Sequence, residues 1–522
     1  MEKTLKHGTN FTKSWENQNN MRTLYKLPCL ILILLFLSLV LGADTHEAAS
    51  ASYADVNYTV NTEASAGDTV IVPAGTETWT ESTLMITKEL TLQGSGIGQT
   101  IITGSFADYL DAIIEVALSS DVPVRITGFE FRYTTNNPGA KSVYINGRVD
   151  GSFAYTQIRV DHNKFVKGTR SLYIRGWVYG VADNNQFLNN NISVGLTGDD
   201  NYSWGRAIAA GTANAFFIED NIFTANNDAD REPNDHIYHQ QGARSVTRYN
   251  TFDGTALTDG RSFIWFDTHG NQNYYTGSGD FRGQPILEVY ENTVHAYYHF
   301  NAYLAGLRGG SILFYNNSLT LDTGTAPRIR VTDEESWSTA FFDPLDDTWP
   351  AEDQINNCFF WGNTANGNPI TALTIQHAND VEFIVEDRDY FMHAPESSGG
   401  YEYYDDRPGA AGNGDPYDGT LVWDGDHANA YYPYTPYTYP HPLRSGPSGE
   451  GPFATGLVMI LGSQILLWIL LPILLSFALF EGYIIYRMRL ILRDHDQRIR
   501  FFECGDNFEA WYELHKYLEG PR

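Results

Sequence analysis

The stretch "IRVDHNKF" (158–165) contains two apolar residues, Ile158 and Val160, then a short polar turn, an asparagine, and an aromatic residue two positions later. Six further stretches share the layout, with an apolar residue, aromatic or not, two after the asparagine: "GVADNNQF" (180–187), "FFIEDNIF" (216–223), "SVTRYNTF" (245–252), "LEVYENTV" (287–294), "ILFYNNSL" (312–319) and "CFFWGNTA" (358–365). Their asparagines are Asn163, Asn185, Asn221, Asn250, Asn292, Asn317 and Asn363. In the clearest copies the residues five and three before the asparagine are apolar, as in Phe216 and Ile218 or Leu287 and Val289. That is the period-two pattern of a strand with one buried face, ended by a turn and repeated.

Successive asparagines lie 22, 36, 29, 42, 25 and 46 residues apart, so the unit is about 22 residues and the longer intervals carry insertions. Short strands at such a period suit a parallel β-solenoid, in which each repeat is one coil stacked on the last. The asparagine is expected at the corner, in a left-handed backbone conformation, with its amide hydrogen-bonded along the axis. The chain upstream fits the same plan. "AGDTVIVPAGTETW" (66–79) and "LMITKELTLQGSGIGQTIITG" (84–104) break into brief strands punctuated by Gly, Pro and polar clusters, with no helix signal.

Composition narrows the function classes. The 522 residues are 42% hydrophobic and 14% aromatic, enough for an extended core. A net charge of −29 excludes nucleic acid as a partner, because phosphate binding needs a basic surface. Of three cysteines, Cys29 and Cys504 fall in or beside terminal apolar runs and Cys358 stands by itself, so the central region forms no internal disulfide.

The entry segment, the repeated N-x-F corners and the closing "PYTPYTYPHPL" (433–443) resemble the right-handed parallel β-helix proteins of the pectin-lyase-like superfamily, over about residues 55–445. The resemblance implies an all-β, right-handed parallel β-helix (solenoid). It does not choose among that superfamily's lyases, hydrolases, tailspikes and noncatalytic members. A polygalacturonase would carry Asn-Thr-Asp, an Asp pair, Gly-His-Gly and Arg-Ile-Lys in that order. This chain has Asp199-Asp200, Thr268-His269-Gly270 and Arg328-Ile329-Arg330 but no Asn-Thr-Asp.

Chemistry is expected in the insertions, since the coils are scaffold. "FDTHGNQNYYTGSGDFRG" (266–283) and "HAYYHFNAYLAGLRGG" (295–310) bring Asp267, His269, Tyr274, His295, His299 and Arg308 to adjacent coils. Asp267 with His269 would form an acid/base pair, and Arg308 and Arg330 would neutralise a uronate carboxylate, so Asp267, His269, Arg308 and Arg330 are the candidate catalytic residues. Each has a structural alternative, such as Arg308 capping the turn at Gly309-Gly310. In "NNDADREPNDHIYHQQ" (226–241) the residues Asp228, Asp230, Glu232, Asp235, His236 and His239 form either a metal-binding loop, with Ca²⁺ a possible ion, or a solvated acidic loop.

Two segments bear on location. Residues 1–20 are an extension. From Met21 to Ala43, basic Arg22 and Lys26 precede an apolar run ending in small residues, as in a signal peptide or N-terminal anchor. Residues 453–486 are long and apolar enough for a transmembrane helix, and Arg487, Arg489, Arg493, Arg498 and Arg500 follow it. The expected plan is a parallel β-helix over 55–395, a Tyr/Pro-rich closing segment over 396–445 that seals the last coil, a linker at 446–452, the span, and a cytoplasmic tail at 487–522. The protein is then a single-pass membrane protein with its β-helix outside. It binds surface or environmental polysaccharide or acts as a rigid scaffold or adhesin; the alternative is a polysaccharide lyase or glycoside hydrolase acting on extracellular glycan. Protease added to intact cells should remove 44–450 and spare the tail after Arg487, whereas loss of the tail alone would reverse the orientation.

Overall fold

The computed structural model describes residues 43–445 apart from 81, 107–111, 134–139, 150–151, 199–208, 227–234, 257–263, 270–283, 285, 297–302, 322–328, 332–354, 356–357, 376–383, 388, 396–400, 403–429 and 432–433. The expected signal segment and the expected span at 453–486 therefore lie outside the described residues. Among the described residues no helix is long and apolar enough to cross a membrane.

Three sheets of 12, 10 and 11 strands run alongside one another, and successive strands of each come from successive repeats. A representative coil passes from Tyr155–Asp161 in the first sheet, round the Asn163 corner, to Lys164–Val166 in the third sheet. It continues to Arg170–Arg175 in the second sheet and returns as Val178–Asp183 in the first. These neighbours pair in parallel, as do the other neighbouring strands except a two-residue antiparallel pair at Thr364–Ala365 and Asn368–Pro369. The architecture is a parallel β-helix. Its first sheet starts at Thr45–Glu47, upstream of the expected boundary. A helix absent from the sequence reading, Tyr53–Tyr58 continuing to Glu63, puts Val56 and Val60 into the core, and Trp79 Nε1 donates to the Ala51 carbonyl just before it.

The corner asparagines form an unbroken ladder. Asn163 donates from both its backbone N and its Nδ2 to Asn185 Oδ1, at 3.0 and 3.2 Å. The same pair of bonds links Asn185 to Asn221, Asn221 to Asn250, Asn250 to Asn292, Asn292 to Asn317 and Asn317 to Asn363. Each amide also donates to a carbonyl of the preceding coil, as Asn221 Nδ2 does to Ala182 O at 2.9 Å. All seven asparagines are buried.

The left-handed residue, however, is the one before each asparagine: His162, Asn184, Asp220, Tyr249, Glu291, Asn316 and Gly362 have φ between 53° and 64° where the ladder residues do not. The asparagine is needed for its amide, and its neighbour absorbs the turn. Six of those seven are not glycine, and each such residue costs about 1–2 kcal/mol of backbone strain, which the ladder bonds offset.

Two positions after the asparagines, Phe165, Phe187, Phe223 and Phe252 stack face to face at centroid spacings of 4.9, 4.7 and 4.5 Å. The inward residues of the first sheet complete this core. Its outward residues, among them Val181, Phe217, Val246, Tyr290, Leu313, Tyr315 and Phe359, form a second apolar cluster. Part of that cluster is covered by "YTPYTYPHPLRS" (434–445), which lies along the flank of the first sheet, while most of the rest of the expected closing segment, 396–433, lies outside the described residues. Tyr434 meets Glu288 and Tyr315 at one end, and Arg444 meets Asp183 at the other, so the segment runs back toward earlier coils.

Asn221→Leu deletes an acceptor shared by two Asn185 donors and strands the carbonyls that its amide served. A loss of about 3–5 kcal/mol of unfolding free energy is expected, from roughly 1–3 kcal/mol per orphaned buried group. Chemical denaturation measures it; a change under about 1 kcal/mol would show that the ladder is not a main support of the coil.

Candidate functional site

Along the second sheet, Val143, Ile145, Leu172, Ile174, Val194, Leu196 and Ile237 point into the core. The alternate positions share one register across five strand pairings: Tyr144, Tyr173, Gly195, Tyr238, Asp267 and Gly306. Strand alternation therefore places polar and aromatic groups in an outward-facing row. Gly195 belongs there for a steric reason, since a Cβ would sit 2.7 Å from Tyr173 Cδ2.

Cations lie on the rings. Lys141 Nζ is 5.1 Å from the centroid of Tyr144 and 5.8 Å from that of Tyr173, and the Arg170 guanidinium is 4.9 Å from Tyr173. The hydroxyls are held in a web. Tyr144 donates to Asn146 Oδ1, whose amide donates to Glu115. Tyr173 bonds Thr197 Oγ1 at 2.6 Å, Gln240 donates to the same Oγ1, and Tyr238 donates to Gln240. Burial pushes the Tyr144 and Tyr238 phenols up, so both stay protonated. Arg175 is exposed and Arg170, Tyr238 and Gln240 are half-buried, whereas Lys141, Tyr144 and Tyr173 are buried, so solvent reaches the edge of this row and not its centre.

At the next coil Asp267, His269 and Arg308 meet. Arg308 donates through Nη2 to Asp267 Oδ2 and through Nε to the Thr268 carbonyl at 3.1 Å, while its backbone N donates to Thr268 Oγ1 at 3.0 Å. His269 Nε2 lies 2.6 Å from Arg308 Nη2 and 3.0 Å from Asp267 Oδ2, and its ring packs on Tyr238 at 4.8 Å. A neutral ring accepts from the guanidinium there, whereas a protonated one donates to the carboxylate. Burial pushes Asp267 up, but Arg308 and then His269 outweigh it and hold the carboxyl at about 2.

These residues lie closer to the coil than the sequence reading places them. Asp267 belongs to strand Ile264–Thr268, and Arg308 directly follows strand Tyr303–Leu307. Asp267 is thus a strand residue and Arg308 the first residue past its strand, with its side chain 8% exposed. Arg330 sits on strand Ile329–Val331, two strands beyond Asp267 in the same register.

The supposed metal loop also reads differently. His236 is enclosed by Phe223, Phe252 and Trp265, and His239 bonds Ser245 Oγ at 2.5 Å in the interior. Burial lowers both imidazoles to about 3, which keeps them neutral. They are core residues of strand Asp235–Gln240. Asp228, Asp230 and Glu232, like Tyr274 and His299, lie outside the described residues, and His295 is on the third sheet. Among the described residues no group of three or more His, Cys, Asp or Glu is placed to hold a metal ion.

The sequence reading missed Lys141, Tyr144, Arg170, Tyr173 and Tyr238. A faint signal exists, in that Tyr173 and Gly195 each fall ten residues after a ladder asparagine, but the insertion after Asn221 pushes Tyr238 to seventeen and hides the column.

No protein-family model and no curated protein sequence matches the chain. Among solved structures it is similar to ORF18 of Geobacillus virus E2, at 13% identity over 63% of this chain and 56% of that one, with a TM-score of 0.26. It is similar to the PL6 family alginate lyase AlyGC at 12% identity over 64% and 50%, with a TM-score of 0.28. The PL6 family polysaccharide lyase Pedsa3628 from Pseudopedobacter saltans gives 11% identity over 65% and 95%, with a TM-score of 0.25. The chain spans about half the length of the first two.

Arg308→Ala would leave Asp267 buried without its guanidinium, at a cost of about 3–5 kcal/mol. Because Asp267 is depressed in the folded state, the ionic part of the deficit should be fully present above the ordinary carboxyl value of 3.8 and be lost as pH falls through about 2, leaving the loss of the bond to the Thr268 carbonyl. Thermal unfolding of both proteins across that range measures it, and a pH-independent difference would mean that the pair is not its source.

Proposed function

We propose that the chain is an exported, membrane-tethered β-helix protein, wound in the right-handed sense usual for parallel crossovers, whose second-sheet face binds an anionic polysaccharide without cleaving it. The observation that carries this reading is the shelf on which Lys141 and Arg170 lie over Tyr144 and Tyr173. The accessible edge of this shelf meets the ligand: Arg175 and half-buried Arg170 take a carboxylate or sulfate, and half-buried Tyr238 offers ring surface to the apolar side of a pyranose. Arg175 extends the shelf in register with Asn146 and Thr197. On a chain of net charge −29, such a concentration of cations points to an anionic ligand. Export and tethering rest on the apolar segments at 21–43 and 453–486 and on the arginines after the second.

The lyase or hydrolase reading draws on the contact of Asp267 with His269. An eliminase also needs a cation free to neutralise the substrate carboxylate. Arg308 is committed to Asp267 and to the Thr268 carbonyl, which favours binding over turnover.

Titration of the full chain with a polyuronate, a sulfated glycan and a neutral glucan, each with and without Ca²⁺, tests the reading. Binding is expected for the anionic polymers and should weaken as salt rises. Arg170→Ala and Arg175→Ala should each reduce affinity about tenfold, equivalent to about 1.4 kcal/mol, without changing the melting temperature. Absence of binding to every anionic polymer would end the proposal, and an unsaturated product absorbing in the near ultraviolet would replace it with the lyase reading.

A further inference from the structure

The segment 434–445 is held on the flank of the first sheet mainly by ionic and main-chain bonds. Arg444 pairs with Glu219 at 2.9 Å, Asp183 at 3.3 Å, and Asp220. Arg159 donates to the Leu443 and Arg444 carbonyls, and Arg248 to those of Tyr437 and Thr438. The His441 backbone N donates to Glu219 Oε2, Tyr434 donates to Glu288, and Tyr439 donates to Asp220. Thr435 lies so close to Gly211 that a Cβ there would meet its carbonyl oxygen at 2.0 Å, so the coil is shaped to receive the segment.

His441 is the group least able to carry charge in this arrangement. Its ring lies 4.6 Å from Phe217 and 5.6 Å from Tyr437, and it is 5% exposed. Nδ1 accepts a hydrogen bond from the Leu443 backbone N at 3.2 Å, so protonation at Nδ1 breaks that bond. Three cations face it: Arg159 and Arg248 from the coil, and Arg444 from its own segment. The nearby carboxylates Glu219, Asp183 and Asp220 are already engaged by those arginines.

We propose that residues 434–445 are an acid-released latch: protonation of His441 undocks the segment from the first sheet and uncovers the face beneath it, while the coil stays folded.

The sign follows from the docked state. Burial, and then the three arginines, lower His441 from 6.5 to about 4. Docking is fully favourable above about pH 6.5, loses ground as pH falls from there to about 4, and levels off below. Across that window the docking equilibrium weakens by up to about 300-fold, ten to the difference in pKa. The coil also buries neutral histidines, His236 and His239, lowered to about 3, and so loses some stability over the same fall in pH, but they lie on the second sheet, away from the contacts the segment makes on the first. The ladder consists of amides, and Asp161 keeps its charge down to about 2, since burial raises it but Arg125 and His162, both on the coil, outweigh that.

Hydrogen–deuterium exchange on the full chain between about pH 7 and pH 4, corrected for intrinsic rates, tests the latch. The amides of His441, Leu443 and Arg444 should lose protection by two to three decades over that window while the backbone amides of Asn185 and Asn221 keep theirs. His441→Asn keeps an acceptor near the Nδ1 position without a titrating group, so its segment should stay protected down to about pH 4. Carbon-labelled histidine NMR of the parent supplies a check independent of any variant: one imidazole should titrate near pH 4, and that of His441 titrating near the ordinary 6.5 would overturn the proposal. Simultaneous loss of latch and ladder protection would overturn it too, as would release of His441→Asn at the same pH as the parent.

Discussion

Each coil must reverse direction within a few residues, and the backbone groups at that corner are sealed from water. The buried asparagine amide resolves this conflict. One side chain accepts two N–H bonds from the coil before it and donates to carbonyls that would otherwise be orphaned, and an identical residue one coil later does the same. An interrupted ladder leaves buried donors on one side and buried acceptors on the other, so the corner register is held across seven repeats. The phenylalanine stack follows from it, since a fixed corner places the residue two positions later at the same depth in every coil.

The constraint also decides where variation goes. Strand pairing stays in register at the corners although the repeats range from 22 to 46 residues, so the extra residues leave the coil on the way to the second sheet or back to the first. The three outward faces consequently differ. The first sheet carries apolar rings and buried charges and is partly covered by a distant segment of its own chain. The second presents the tyrosine row with its cations. The third consists of shorter strands with exposed polar residues.

Charge is buried on the outward faces of the first and second sheets, and it is handled in pairs. Arg248 with Glu219, Arg125 with Asp161 and Arg308 with Asp267 each place a guanidinium against a carboxylate in or beside successive strands. The interior penalty for an isolated ion makes such pairs costly to break, but they add little over an apolar alternative. For that reason Asp267, His269 and Arg308 count first as support for the coil. Solvent contact is kept instead by groups such as Arg170, Arg175 and Tyr238.

The solenoid was legible in the sequence because its determinants are local and repeat. An asparagine with apolar residues at minus five, minus three and plus two is visible within eight positions, and stacking identical coils turns that pattern into sheets without further information. The left-handed residue before each asparagine was not legible, because His, Asn, Asp, Tyr, Glu and Gly all serve there and only the backbone is constrained. The candidate residues Asp267, His269 and Arg308 were picked out by chemical type, but their place on or beside strands was lost inside insertions that carry no register mark. The tyrosine row and the latch were decided by tertiary structure alone. Tyr238 faces Tyr173 only once the coils between them are aligned, and Arg159 meets the Leu443 carbonyl across 284 residues of chain. Period and polarity, read along the chain, encode how a coil is built, whereas contacts between distant segments depend on where the stacked coils bring them in space.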